Sequence, residues 1–331
     1  MAPTICVGID VSKLTLDIAV LKDGVKAFST KIDNSETAIK AFLSTMRSDH
    51  KATRDNTIYC AEHMGIYGKF LVEVLIAKQV RLCLESPLQI RLSLGIQRNK
   101  SDVLDAIRIA EYAYKHHASL RLWEPPRPPV QKLKMLMTIR KRLIKMGAML
   151  KNNKKVEAYF LAAPSRKEVD EFTKQTFNAI KADVDAIERQ MNEIINFDPH
   201  LHNLAQLITS VPYVGKIIAI EILVHTNEFK DISCPRKFCS YCGIAPFAQT
   251  SGTTLKKRPR VSHIANKDLK TVLHLAALGS TRPGKSPFKA YYARKVGEGK
   301  NKMSVLNAIR NKIVTVIFAC VRDKKLYQET Q

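Results

Sequence analysis

Two short runs of residues restrict this chain more than any other feature. Ile5-Cys6-Val7-Gly8-Ile9 and Thr57-Ile58-Tyr59-Cys60-Ala61 are apolar at almost every position and too short for a buried helix. Neither shows the alternation of a half-exposed strand, so both read as strands buried on both faces. Strands of that kind need a sheet covered by helices. Each run ends in a carboxylate, Asp10 in the first and Glu62 in the second. A charge is not stable inside such a core, so both acids belong where the strands reach the sheet's rim.

The surrounding pattern extends the sheet. Leu14–Leu21 reads as a second strand, Asp23-Gly24 as a hairpin turn, and residues 25–32 as a third strand. Residues 34–47 look helical, with Asn34 or Ser35 as the cap. A helix over about 66–79, a short strand Val80–Leu84 and a helix near Pro87 follow the Glu62 strand. A last helix opens with Asp102 and Asp105 and ends near His116. Three hairpin-linked strands followed by alternating helices and strands give a mixed α/β sheet, in ribonuclease-H-like order. Asp102 and Asp105 stand three apart and share one helix face. Taken singly, each acid has a plainer reading as a turn residue, a surface ion pair or a first-turn acid favoured by the helix dipole. Taken together, Asp10, Glu62, Asp102 and Asp105 form a cage of hard oxygen ligands suited to Mg²⁺ or Mn²⁺. Asp17, Asp23 and Glu85 are not expected to share that placement.

Charge points to the substrate. The chain of 331 residues carries a net charge of +24, which favours a polyanion, nucleic acid first. Four carboxylates on so basic a chain suggest two-metal phosphodiester chemistry. Hydrophobic residues make up 45%, enough for a real core in roughly two to three domains. No apolar stretch approaches the roughly 20 residues of a spanning helix. A first strand at Ile5 leaves no room for a signal peptide, so a soluble, intracellular (cytoplasmic) protein is expected. Cys239 and Cys242 form one C-x-x-C with no second pair, and buried thiols are the simpler reading than structural zinc.

Trp123-Glu124-Pro125-Pro126-Arg127-Pro128-Pro129 reads as a stiff linker. Beyond it, Leu136, Ile139, Leu143, Met146 and Leu150 repeat at spacings of three and four. Phe177, Ile180, Val184, Ile187, Met191 and Ile194 do the same after a break at Pro164. Two such helices make a helical hairpin or coiled coil, either internal or serving self-association. The first helix carries a basic stripe of Lys132, Lys134, Arg140, Lys141, Arg142, Lys145, Lys151, Lys154 and Lys155, which a solvated face or a phosphate backbone would both explain.

Basic character concentrates after Ser251, with 18 Lys and Arg against 4 Asp and Glu. Val211-Pro212-Tyr213-Val214-Gly215-Lys216 resembles a helix-hairpin-helix turn, except that Tyr213 stands where glycine is usual. Ser251 lies among small, hydroxylated and flexible residues, close to Lys256, Lys257, Arg258 and Arg260. Exposure, backbone freedom and positive charge are what a serine attacking a phosphodiester needs. An ordinary polar loop is the plainer reading of the same residues. Lys300, Lys302, Arg310 and Lys312, around the last helix, are candidate phosphate contacts.

Three motifs then bear a resemblance. Val7-Gly8-Ile9-Asp10-Val11-Ser12-Lys13, Glu62 with Gly65-Ile66-Tyr67, and Lys100-Ser101-Asp102-Val103-Leu104-Asp105-Ala106 look like those of the DEDD transposase family of the IS-one-ten insertion sequences, which includes bridge-RNA-guided recombinases. Cys242-Gly243-Ile244-Ala245-Pro246 and Ser251-Gly252 resemble that family's C-terminal domain, so the likeness spans nearly the whole chain. His63-Met64 departs from the smaller residues usual after the Glu. The resemblance implies a RuvC-like nuclease domain over 1–128, a coiled-coil or helical-hairpin insert over 129–200, and a mostly helical transposase domain with a serine loop over 201–331. Asp10, Glu62, Asp102 and Asp105 would bind the metal, and Ser251 would link covalently to a DNA strand. The tetrad of one protomer would work with Ser251 of another in a dimer or larger homo-oligomer. A non-coding bridge RNA would pair with donor and target DNA. The rival expectations are a RuvC-like junction nuclease using activated water, and a non-catalytic nucleic-acid scaffold.

Overall fold

The computed structural model describes residues 3–63, 65–93, 95, 101–160, 162–251, 255–282 and 286–328. For residues 152–158, 163, 164, 166, 249–251 and 255–258 only the backbone is described. The chain forms two compact units, Met1–Pro125 and Pro126–Gln331.

The first unit is built on strands β1 (Ile5–Val11), β2 (Thr15–Lys22), β3 (Val25–Asp33), β4 (Thr57–Glu62) and β5 (Leu82–Glu85). Its helices are α1 (Glu36–Ser48), α2 (Lys69–Ala77), α3 (Pro87–Ser93) and α4 (Asp102–His116). The strands lie in the order β3-β2-β1-β4-β5. β1, β2 and β3 pair antiparallel through tight turns, whereas β4 and β5 run parallel to β1. Both faces are dry, which is why β1 and β4 carry unbroken apolar runs. Val7, Ile9, Ile18 and Tyr59 pack with Ile39, Phe42, Leu71 and Leu75 of α1 and α2. Cys6, Ile58, Cys60 and Cys83 pack with Ile109, Ala110, Tyr112 and Ala113 of α4. Each fully buried Ile or Leu contributes about 1.5–3 kcal/mol. Ser35 is the cap of α1, its hydroxyl accepting from the Ala38 N–H at 3.3 Å.

Gly8 decides how close α4 comes. A Cβ built there would stand 2.2 Å from the Ala106 carbonyl oxygen and 2.3 Å from the Ala110 nitrogen. The helix backbone therefore rests directly on β1, one strand-face position before Asp10.

The second unit holds α5 (Pro128–Phe160), α6 (Ala163–Phe197), α7 (Pro199–Thr209), α8 (Lys216–Thr226) and α9 (Pro235–Tyr241). A two-stranded ribbon follows, β6 (Pro246–Ser251) with β7 (Leu255–Val261), and then α10 (Lys267–Gly279), α11 (Pro287–Gly297) and α12 (Lys302–Asp323). Ile309, Ile313 and Ile317 of α12 share a core with Leu201, Ile208, Ile220, Phe238 and Leu273. The start of α5 (Val130, Leu133, Leu136) and the end of α6 (Met191, Ile195) belong to that core. Arg127 fastens the entry to α5. Its Nη atoms donate to Asp198 at 2.7 and 3.1 Å, and its Nε donates to the fully buried Glu228 at 3.0 Å. Asp198 also accepts from the Leu201 N–H at 2.9 Å to cap α7. The Arg127 hydrogen bond comes first in holding the Asp198 carboxyl at about 2.

Three expectations need correction here. In α6, Ile187, Met191 and Ile194 reach the core as the spacing predicts, but the seam of α5 is displaced by one residue at two points. Ile139 and Met146 are exposed, whereas Arg140 turns inward to Glu188 at 2.7 Å and Gly147 lies 3.6 Å from Ile180. Two members of the basic stripe are therefore used internally: Arg140 in that pair, and Lys141 with Glu221 at 2.9 Å and Asp268 at 3.1 Å. Finally, α12 is long and apolar enough to cross a membrane by length and composition, half of its most apolar window being buried in the unit. Arg310 and Lys312 shorten the apolar run in sequence without interrupting the helix.

The turn at 210–215 joins α7 to α8. Tyr213 there adopts a left-handed φ of +66°, the conformation that makes glycine usual at this position. Its ring rests 3.5 Å from the position a Gly279 side chain would take.

Candidate active site

Register gathers the acids. Asp10 lies opposite Asp17 on β2, Ile9 is aligned with Ala61 so that Glu62 is the next neighbour of Asp10, and Glu62 is aligned with Glu85 on β5. Lateral neighbours in a sheet point to the same face. Asp17, Asp10, Glu62 and Glu85 therefore form one row across four strands, on the face that α4 covers. This overturns the expectation that Asp17 and Glu85 stand elsewhere. Asp23 does lie away from the row, at the turn between β2 and β3, its N–H donating to Thr4 at 2.8 Å.

The two added acids are neutralised or satisfied locally. Asp17 is buried and pairs with Lys31 of β3 at 3.2 Å. Glu85 accepts from the Tyr112 hydroxyl of α4 at 3.1 Å and from the Ser86 N–H at 3.2 Å. Burial, then the Glu85 charge, pushes the Tyr112 phenol up.

Asp102 and Asp105 occupy the first turn of α4, capped by Ser101, whose hydroxyl accepts from the Leu104 N–H at 3.3 Å. Because α4 rests on Gly8, that turn overhangs the end of β1. The Asp10 carboxyl is raised to about 6, first by burial and then by the charges of Asp102, Asp105 and Asp17. Asp105 is partly compensated by Arg108 at 2.6 Å. Among the described residues no three His, Cys, Asp or Glu side chains already stand together as a metal-binding group. What the acids supply is a concentration of negative charge with oxygen donors alone, the chemistry that suits a hard divalent cation. The rim also holds Asn34, whose Nδ2 donates to the Ser12 and Tyr67 carbonyls, each at 2.9 Å.

The second unit carries the other predicted residues. Ser251 ends β6, paired with Leu255 beside the ribbon tip; residues 252–254 and the Ser251 side chain lie outside the described residues. Lys256 and Lys257 pair with Thr250 and Gln249, and Arg260 with Phe247; the side chains of Lys256, Lys257 and Arg258 also lie outside the description. Arg260, Lys300 and Lys302 are exposed.

The ribbon's root is firmly built. The Ile244 carbonyl accepts from Asn307 at 2.8 Å and from Asn311 at 2.9 Å, both on α12. Gly243 takes a φ of +63°, and a Cβ there would stand 2.3 Å from the Ala265 side chain. This explains why Cys242-Gly243-Ile244-Ala245-Pro246 reads as a motif. Behind it runs a polar network missed in the sequence. The buried Glu221 meets Lys141 at 2.9 Å and His225 at 3.4 Å, and His225 Nδ1 is 3.2 Å from the Tyr241 hydroxyl. Its members come from α5, α8 and α9, so no local spacing signals it.

Two family models match the chain. The DEDD transposase model of IS110, described as a transposase, covers residues 7–156, and one described as the transposase IS116/IS110/IS902 family covers residues 205–293. The pilin gene-inverting proteins of Moraxella bovis and Moraxella lacunata are 23% and 24% identical over 326 residues, 98% of this chain and 97% of each relative. The uncharacterized 43.6 kDa protein of insertion element IS110 from Streptomyces coelicolor is 28% identical over 145 residues, 43% of this chain and 34% of that protein. With both matched regions carrying the carboxylates and the ribbon motif described above, the chain belongs to the IS110 family of insertion-sequence transposases and is a DNA transposase or recombinase.

Proposed function

We propose that this chain cuts and rejoins DNA strands at the ends of a mobile or invertible segment, with Asp10, Glu62, Asp102 and Asp105 holding divalent metal and Ser251 as nucleophile. The observation that carries this reading is electrostatic: Asp102 and Asp105 press on Asp10 from α4, at the rim where Glu62 is its strand neighbour. Like charges so arranged are unfavourable unless a cation joins them. The strand order and directions support an RNase-H-like (RuvC-like) sheet. A bound Mg²⁺ or Mn²⁺ would offset charge at the scissile phosphate. Ser251 Oγ would attack the phosphorus, forming a phosphoserine ester as one DNA oxygen leaves. A free DNA hydroxyl would then attack that ester and release the serine, so the strand is rejoined without a high-energy cofactor. Lys256, Lys257, Arg258, Arg260, Lys300 and Lys302 would contact phosphates. Met135, Ile139, Met146 and Met149 leave an exposed apolar stripe on α5, which supports a homo-oligomer. Guidance by a bridge RNA, and a cytoplasmic setting on chromosomal DNA, complete the proposal. The end-to-end match with gene-inverting proteins favours inversion of a segment beside insertion of one.

The test is denaturing capture of a covalent adduct on labelled DNA carrying the segment ends. The wild-type chain is expected to form it with Mg²⁺, and Ser251→Ala and Asp10→Ala are not. An adduct on Ser251→Ala excludes this nucleophile. Cleavage without any adduct favours the water-using nuclease, and DNA binding with neither favours the scaffold. Equal site selectivity with and without RNA from the element excludes guidance.

A further inference from the structure

On α12, residues 307, 310 and 311 are spaced three and four apart and share one helix face. Asn307 and Asn311 hold the ribbon root. Arg310 between them is 5% exposed, and its Nε is buried without a hydrogen-bond partner. Among the described residues no carboxylate pairs with it. His274 of α10 lies close enough to feel its charge, and the His274 Nδ1 is likewise buried and unpartnered. A buried guanidinium with no counter-charge is costly, and an apolar side chain of similar length would suit the core better. This half of the chain is rich in cations, with 18 Lys and Arg against 4 Asp and Glu after residue 250. What the site lacks is an anion.

We propose that Arg310, with His274 beside it, is a binding site for a backbone phosphodiester of a nucleic-acid strand. The planar guanidinium offers several N–H donors in a fork that matches phosphate oxygens. The small part of Arg310 that reaches the surface is where the phosphate meets it. Because Asn307 and Asn311 tie the same helix face to Ile244, a strand held at Arg310 has its register fixed against the root of the serine ribbon. This identification of the ligand rests on the chain's action on DNA and not on the Ser251 chemistry.

The experiment compares full-length wild type, Arg310→Met and Arg310→Lys by thermal unfolding and by equilibrium binding to labelled DNA and RNA of one sequence over a salt series. Inorganic phosphate is expected to raise the melting temperature of the wild type but not of Arg310→Met. Without phosphate, Arg310→Met is expected to melt no lower than wild type, since it removes an unpaired buried charge. Its nucleic-acid affinity is expected to fall about tenfold or more. The slope of log K against log salt is expected to shrink by about 0.7–0.9, one phosphate contact. Equal loss on DNA and RNA assigns a general backbone contact, and loss on one alone assigns that strand. A lower melting temperature with an unchanged salt slope overturns the proposal and makes Arg310 a structural residue. If Arg310→Met does not fold, Arg310→Lys decides: weaker binding at an unchanged slope upholds the fork, and wild-type binding overturns it. An Asp10→Ala control that binds as wild type but transfers no strand separates failure here from failure of the metal-site reading.

Discussion

Replacing Asp10 with Asn should stabilise the protein while destroying its activity. In the folded chain the Asp10 carboxyl is raised from 3.8 to about 6. Between those values the folded state keeps a proton that the unfolded state has released, so stability falls as pH rises through this window. Above it the penalty is complete. A shift of roughly two units corresponds to about 3 kcal/mol at neutral pH, which solvent screening of this half-buried carboxyl reduces to about 1–2 kcal/mol. Asp10→Asn keeps the shape and removes the charge, so it should recover most of that amount. Chemical denaturation in chelator, at pH 4 and pH 7.5, measures it directly. The variant is expected to exceed wild type by about 1–2 kcal/mol at pH 7.5 and to match it near pH 4. Millimolar Mg²⁺ should raise the wild-type midpoint and leave the variant unmoved. A variant no more stable than wild type at pH 7.5, or a difference independent of pH, would refute the claim that Asp102 and Asp105 bear on Asp10.

Two further outcomes are expected, one in each unit. Gly8→Ala forces a methyl group against the α4 backbone, so it should cost about 3 kcal/mol or more and weaken Mg²⁺-dependent stabilisation, both read in the same denaturation experiment. The Arg127–Asp198 pair holds a carboxyl at about 2, so its contribution is present above pH 4 and lost as pH falls through about 2. After allowance for solvent screening of the partly exposed Arg127, that is about 1 kcal/mol. Arg127→Met should therefore flatten the acid limb of the stability profile between pH 4 and 2.

Residues with a local signature were legible in the sequence. The apolar runs of β1 and β4, the Asp23-Gly24 turn and the cap at Ser35 each announce themselves within a few positions. The order of elements in the first unit followed from them. Register was not legible: nothing near Asp17 or Glu85 says that pairing will set them beside Asp10 and Glu62. The α5 seam failed for a similar reason. Arg140 turns inward because Glu188 awaits it 48 residues away, and Ile139 loses its place although it is the more apolar residue. Glu221, His225 and Tyr241 meet Lys141 across three helices, and nothing near Arg310, read in the sequence as a candidate phosphate contact, says that α12 buries it.

The contact at Gly8 has a wider consequence. Main chain touches main chain there, with no side chain acting as a spacer. The separation between the strand acid and the helix acids is thus a property of the covalent scaffold and insensitive to how either hydrophobic layer is filled. Substitutions in either layer can therefore accumulate without changing how far Asp10 stands from Asp102 and Asp105.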